Sequence, residues 1–378
     1  MNSSPTLHLS NNSTSNNDGV AKPRSSNLEL YRIICMIMIV AHHFVVNSGV
    51  KADDGPILSD PFSANSVYLL LFGMWGKVGI NCFLMITGYF MCKSQITVRK
   101  FLKLILQVYL YNWLVFACFL ITGYETFSLK SMYTLIMPVT GFSDGFVSCF
   151  LAFWLTIPFL SILVQNMNKR QHQLLLLLLI GCYTILGSIP VFYVRFNYIT
   201  WFCIIFLIAS YIRLYPNSLF ENKKLWGWMT LALVVVAMVS VPLMQHLINY
   251  GYFFVADSNK ILAVAVAVSS FLWFKNLNIP QSKFINAIGG STFGVLLIHA
   301  NSDAMRTWLW KDTVDVIGHY NLPFLQLIVF SVVVVLSVFF ICNLIDQLRV
   351  QLLEKPFFKW YDKTLSIKVD KLLDRLIS

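Results

Sequence analysis

Residues 27–47 read NLELYRIICMIMIVAHHFVVN, a mostly apolar run long enough to cross a bilayer, since about 20 helical residues span the hydrocarbon. Glu29 and Arg32 stand near its start, and the pair His42–His43 stands near its far end. Ionisable side chains inside a span are costly and usually face a protein interior or a water-filled cavity. Arg32 and His43 are eleven residues apart, three helical turns with almost nothing over. That spacing predicts one shared face, with the two side chains roughly 16 Å apart along the axis. Glu29 falls one turn before Arg32 on nearly the same stripe, whereas His42 points about 80° away from it. A polar stripe is thus expected to link the two ends of the first span.

Working outward, 57% of the 378 residues are hydrophobic and 12% are charged. A soluble protein carries about twice that charged fraction, so the composition predicts an all-α polytopic membrane protein, multi-pass in the cell membrane. Ten transmembrane helices are expected, at 28–47, 66–91, 101–123, 146–165, 173–193, 198–214, 226–248, 257–275, 287–309 and 323–346. The ninth is interrupted by Gly289-Gly290, Ser291-Thr292, Asn301-Ser302-Asp303 and Arg306. The formal charge of +11 does not imply nucleic acid, because the basic residues sit between the apolar runs. With the N-terminus in the cytoplasm, 13 Lys and Arg fall on the inner side before the tail and five on the outer side, as the positive-inside rule requires. An even number of spans returns the C-terminus to the cytoplasm as well.

The spans occupy one domain, 27–346. Before it, residues 1–26 are rich in Asn and Ser with no apolar core, and a disordered tail is expected. After it, residues 347–378 are basic, and Leu365, Ile367, Leu372, Leu373 and Leu376 alternate with charge, as in a helix lying on a membrane surface. Seven of the eight cysteines lie inside apolar runs and no pair has metal-ligand spacing, so they read as small buried hydrophobes and no metal is expected.

Three basic residues are left inside spans: Arg32, Lys77 and Arg306. Each needs a partner, an anion or water. Structural ion pairs with Glu29 and Asp303 are the plain explanation for two of them. Together with His43 and His299, the set fits a functional cavity better. His43 is the leading candidate for catalysis, since imidazole takes and returns a proton near neutral pH. His42 is its nearest rival, and its direction away from Arg32 counts against it. Arg32 suits a phosphate-bearing ligand or a pair with Glu29. Gly76, Gly79 and Gly88 permit close helix approach around Lys77. His299 and Arg306, seven residues apart with Asp303 between them, would share one face of an unbroken helix.

These residues resemble the integral-membrane acyltransferase-3 family of O-acyltransferases. The likeness rests on Arg32 and His43 in the first span, on GINCFLMITGYF at 79–90, on Trp154 and Pro158 in the fourth span, and on STFGVLLIH at 291–299. It covers roughly residues 27–346, with the motifs in the family's order. Thr87 stands where the family often has serine, and Leu296 where tyrosine is common. The resemblance implies acyl transfer, commonly acetyl from acetyl-CoA as co-substrate, to a hydroxyl of a cell-envelope or exported carbohydrate or its lipid-linked precursor. His43 and Arg32 would be catalytic, and Lys77, His299 and Arg306 would bind substrate. A tail of about 30 residues is too short for an independent domain, so the reaction is expected to finish within the membrane part. The rival class is a transporter of an anionic solute or a lipid-linked sugar that uses the same three cations. Transporters often carry internal repeats, and the halves of this sequence show no convincing similarity.

Overall fold

The computed structural model describes residues 25–94, 97–137 and 145–365. Residues 1–24 of the tail expected at 1–26, and the apolar positions Ile367, Leu372, Leu373 and Leu376, lie outside the described residues. Ser26, the last residue of that expected tail, is instead buried in the first turn of a helix. The opening stretch forms α1 (Ser26–Val46). There follow α2 (Ala64–Gly73), α3 (Gly76–Met91), α4 (Val98–Ile121), α5 (Leu129–Ile136), α6 (Phe146–Asn166) and α7 (Lys169–Leu179). The second half holds α8 (Tyr198–Leu214), α9 (Lys223–Ile248), α10 (Ile261–Lys275), α11 (Lys283–Gly290) and α12 (Thr292–Ala300). It ends with α13 (Asp303–Thr307), α14 (Phe324–Arg349) and α15 (Lys355–Thr364). No strand occurs among the described residues. Polar caps set several of the starts: Thr97 accepts from the Lys100 amide, Asn197 from those of Ile199 and Thr200, and Asn168 and Gln171 form a reciprocal box.

Seven helical segments are long and apolar enough to cross a membrane, eight if the bent pair described below counts as one. The chain is a multi-pass membrane protein. Each of the ten expected stretches overlaps helix. α2 and α3 together make one segment, Ala64–Met91, and α7 continues through a π turn and a 3-10 turn to Ser188. Two stretches are short: α8 has 17 residues and α10 has 15. Both pack against α3, and protein rather than lipid covers most of their side chains. By contrast α9 and α14 leave Trp228, Leu231, Val239, Leu325, Val333 and Leu344 exposed, an apolar belt that only a bilayer or another apolar surface would cover.

The fifth expected stretch, 173–193, is observed as Lys169–Ser188, and three further differences have a local reason. The eighth stretch begins at Ile261 rather than 257, because the residues around its start are tied to the end of the fifth stretch. There Ser188 Oγ accepts from the Ile261 amide at 2.9 Å, and Asn259 Nδ2 donates to the Tyr183 carbonyl at 2.8 Å. The ninth is not one helix. Asn301 and Ser302 break it, Ser302 caps α13, and the two parts are bent by 85°. The last span runs on to Arg349, past the expected tail boundary at 347.

α1 is the hub. It touches α2, α3, α10, α11, α12 and α14, and Cys35, Val40, Phe44 and Val45 are fully buried. Gly79 lets α3 close on it: a Cβ there would lie 2.9 Å from the Cys35 carbonyl oxygen. At the other side of the bundle, a buried ionic network joins α4, α14 and the start of α15. Asp346, fully buried, accepts from Tyr111 Oη (2.8 Å), Gln107 Nε2 (3.0 Å) and Arg349 Nε (2.8 Å). Arg349 also donates to Glu354 at 2.7 Å, and Lys103 pairs with Glu354 at 2.5 Å.

Lys51, in the loop after α1, stacks its ammonium over Tyr252 and Tyr250, 4.0 and 5.2 Å from the ring centroids. Burial pushes this group down to about 8 from its ordinary 10.5. Between those values the unfolded chain holds a proton that the folded chain has released, so stability rises with pH across that window. The thermal midpoint of the purified protein is therefore expected to climb between about pH 8 and 10.5, and Lys51→Met is expected to flatten the climb. An identical pH profile for the two proteins would refute this.

Candidate active site

A cavity of about 620 Å³ opens at the end of the bundle where α1 finishes. Every wall comes from that end. The last turns of α1 bring Ile39, His42 and His43; the first turns of α3 bring Lys77 and Ile80; the second half of α4 brings Asn112 and Phe116. Residues of α5, the starts of α6 and α8, and the bend between α12 and α13 complete it.

Two histidines meet at its edge. His43 Nδ1 lies 2.9 Å from His299 Nε2, and His299 Nδ1 lies 2.6 Å from the Val295 carbonyl oxygen. A carbonyl oxygen only accepts, so His299 Nδ1 carries the hydrogen, and a neutral imidazole has just one. His299 Nε2 therefore accepts, and His43 Nδ1 must be the donor. What remains on His43 is Nε2 with its lone pair, the basic atom of a ring that lines the cavity. Fully buried His299 fixes the tautomer and orientation of His43 much as a carboxylate does in a catalytic triad.

The cations are divided between the two ends. Lys77 lines the cavity and donates to Tyr198 Oη at 2.7 Å. Arg306 also lines it, paired with Asp303 and donating to the Ala300 carbonyl at 3.3 Å. Both lie within electrostatic range of His43. His299 and Arg306 do come to one place, but through the bend and not through a shared helix face, because no helix runs unbroken between them. Arg32 is not part of this cavity. It sits near the opposite end of α1, pairing with Glu29 at 3.3 Å. His42, expected to point away, reaches the cavity too; its Nδ1 lies 2.6 Å from the Gly73 carbonyl oxygen. The two histidine rings are 5.8 Å apart. Helical phase separates them by direction, yet the cavity is wide enough to take both.

Several polar groups of the site have no periodic signature in the sequence. Asn301 Nδ2 donates to Asn112 Oδ1 at 2.6 Å, and Tyr198, Glu125 and Ser148 are at the walls. Tyr198 opens a helix capped by Asn197, and Glu125 lies in the turn after α4, so neither falls on an amphipathic stripe.

A family model described as an acyltransferase domain matches residues 25–343, which contain every residue of the cavity wall. The chain belongs to the acyltransferase-3 family. No curated protein and no solved structure matches it. Within this acyltransferase, the first-span arginine and histidine of the resemblance thus stand at separate ends of one helix. The histidine of the STFGVLLIH stretch is the hydrogen-bond partner of His43.

Proposed function

We propose that the protein moves an acyl group, acetyl from acetyl-CoA, to a hydroxyl of a cell-envelope carbohydrate, with His43 Nε2 as general base. The observation that carries this reading is the His43–His299 pair, oriented by the Val295 carbonyl and set against a cavity. The acceptor hydroxyl gives its proton to His43 and its oxygen attacks the thioester carbonyl. The tetrahedral intermediate collapses by breaking the carbon–sulfur bond, and the thiolate leaves with the proton returned from His43. Lys77 and Arg306 bear the positive charge that suits the developing oxyanion or the acceptor. A solute carrier would use the cations but has no need of an oriented imidazole pair, and family membership likewise speaks for acyl transfer.

In the positive-inside arrangement both termini are cytoplasmic and the cavity faces outward, where an envelope glycan arrives. The donor then approaches from the Arg32 end, about 16 Å away along α1. Arg32 would act on the donor's side. The test is to supply purified protein, in detergent, with radiolabelled acetyl-CoA and candidate envelope glycans. Release of CoA with label on the glycan is expected. Absence of both donor binding and CoA release would sink the proposal and turn attention to solute flux.

A further inference from the structure

Far from the cavity, at the end of the bundle where α1 starts, the ends of α3, α8 and α10 converge on one tyrosine. Tyr89, in the last turn of α3, packs against Phe271 of α10 with ring centroids 5.4 Å apart. Arg213, in the last turn of α8, donates to Tyr89 Oη at 2.9 Å and lays its guanidinium over the same ring, 4.6 Å from the centroid. Asn27 of α1 donates to the Phe274 and Lys275 carbonyls at 2.9 and 3.0 Å, which fixes the end of α10 beside α1. Lys275, the last residue of α10, is in electrostatic range of Arg213 and of Glu221. Lys93 and Arg213 are both in electrostatic range of Cys92.

The charge here is unbalanced. Among the described residues neither Arg213 nor Lys275 makes an ion pair, whereas Arg32, Arg99, Lys103, Arg306 and Arg349 all do. Arg213 Nε is buried without a hydrogen-bond partner among the described residues. An arginine held flat on an aromatic ring, with one N–H unfilled, Lys275 in electrostatic range and Lys93 one turn beyond Tyr89 in the sequence, has the chemistry of a phosphate clamp.

We infer that Arg213 and Lys275, with Lys93, hold the phosphates of the acyl-CoA donor. This inference rests on the proposed function and adds to it a recognition site outside the catalytic cavity. The same cations would also attract an anionic lipid headgroup, so the assay belongs in a phosphate-free maltoside detergent with two donors compared. Acetyl-CoA carries phosphates; acetyl-pantetheine carries the same thioester arm without them.

Arg213→Gln and Lys275→Gln are each expected to raise KM for acetyl-CoA about tenfold or more, as loss of a charge-assisted contact does. KM for acetyl-pantetheine and kcat with either donor should stay as in the wild type. That split would not arise from a fold defect, which would weaken both donors alike. An equal loss with both donors, or unchanged KM values with both, overturns the inference. Lack of turnover by the wild type with either donor would overturn the acyl-CoA reading itself and the clamp with it. Should Arg213→Gln not fold, Lys275→Gln at the helix end gives the same comparison.

Discussion

His43→Ala is expected to lower acyl transfer by about 10²–10⁴-fold, the range a positioned general base supplies, with the amount of folded protein unchanged. His43 is half-buried at the cavity edge, so its removal enlarges an existing space and does not hollow out a closed core. The control is His42→Ala. His42 also lines the cavity, but a backbone carbonyl, not a second imidazole, backs its Nδ1. CoA release should therefore fall far more in His43→Ala than in His42→Ala. The reverse order would transfer the role to His42. Loss of the protein itself in His43→Ala would make that residue structural.

Asp346→Ala is expected to cost about 3–5 kcal/mol, because it removes one partner of a buried ion pair and leaves the other charge in place. Asp346 is fully buried and the Arg349 side chain is 8% exposed. Tyr111 and Gln107 lose their acceptor as well. The carboxylate also lies where Gly294 of α12 has no side chain: a Cβ there would sit 2.1 Å from Asp346 Oδ1. The substitution thus loosens α4, α12 and α14 together, and α12 carries both Val295 and His299. A clear fall in the thermal midpoint of the detergent-purified protein is expected, with a smaller fall for Asp346→Asn. A midpoint equal to the wild type would show that the network contributes little.

Much of the fold was legible because spans are written in hydrophobicity and length, and the helices lie where the apolar runs predict them. The interruption at Asn301-Ser302 was visible in the sequence, but the 85° bend it makes was not. Its residues are individually tolerable in a helix, and α12 before the bend packs on α1, α4 and α14, contacts between segments distant in sequence. The site was legible in part. Helical phase put Arg32 and His43 on one stripe, but phase says nothing about depth, and three turns of rise carry Arg32 out of the cavity. His299 was found as an ionisable residue in a span, while its bond to His43 joins positions 256 residues apart and has no local signature. Tyr198 and Asn112 were missed for the same reason: each is polar or amphipathic in its own helix and gains meaning only where several helix ends meet.

Those helix ends bear on the proton itself. His43 lies in the last turn of α1, and His299 in the last turn of α12. A helix carries the equivalent of about half a negative charge at its carboxyl end, and a nearby cation gains roughly 0.3–1 kcal/mol from it. Two such macrodipoles converge on one imidazole pair, so under the proposed mechanism a proton taken from a hydroxyl would arrive where the backbone field favours it. Lys77 and Arg306, both cationic, line the same cavity and oppose a further positive charge there. The dyad is thereby held between two opposing fields, an arrangement suited to a base that must give its proton back within the same turnover.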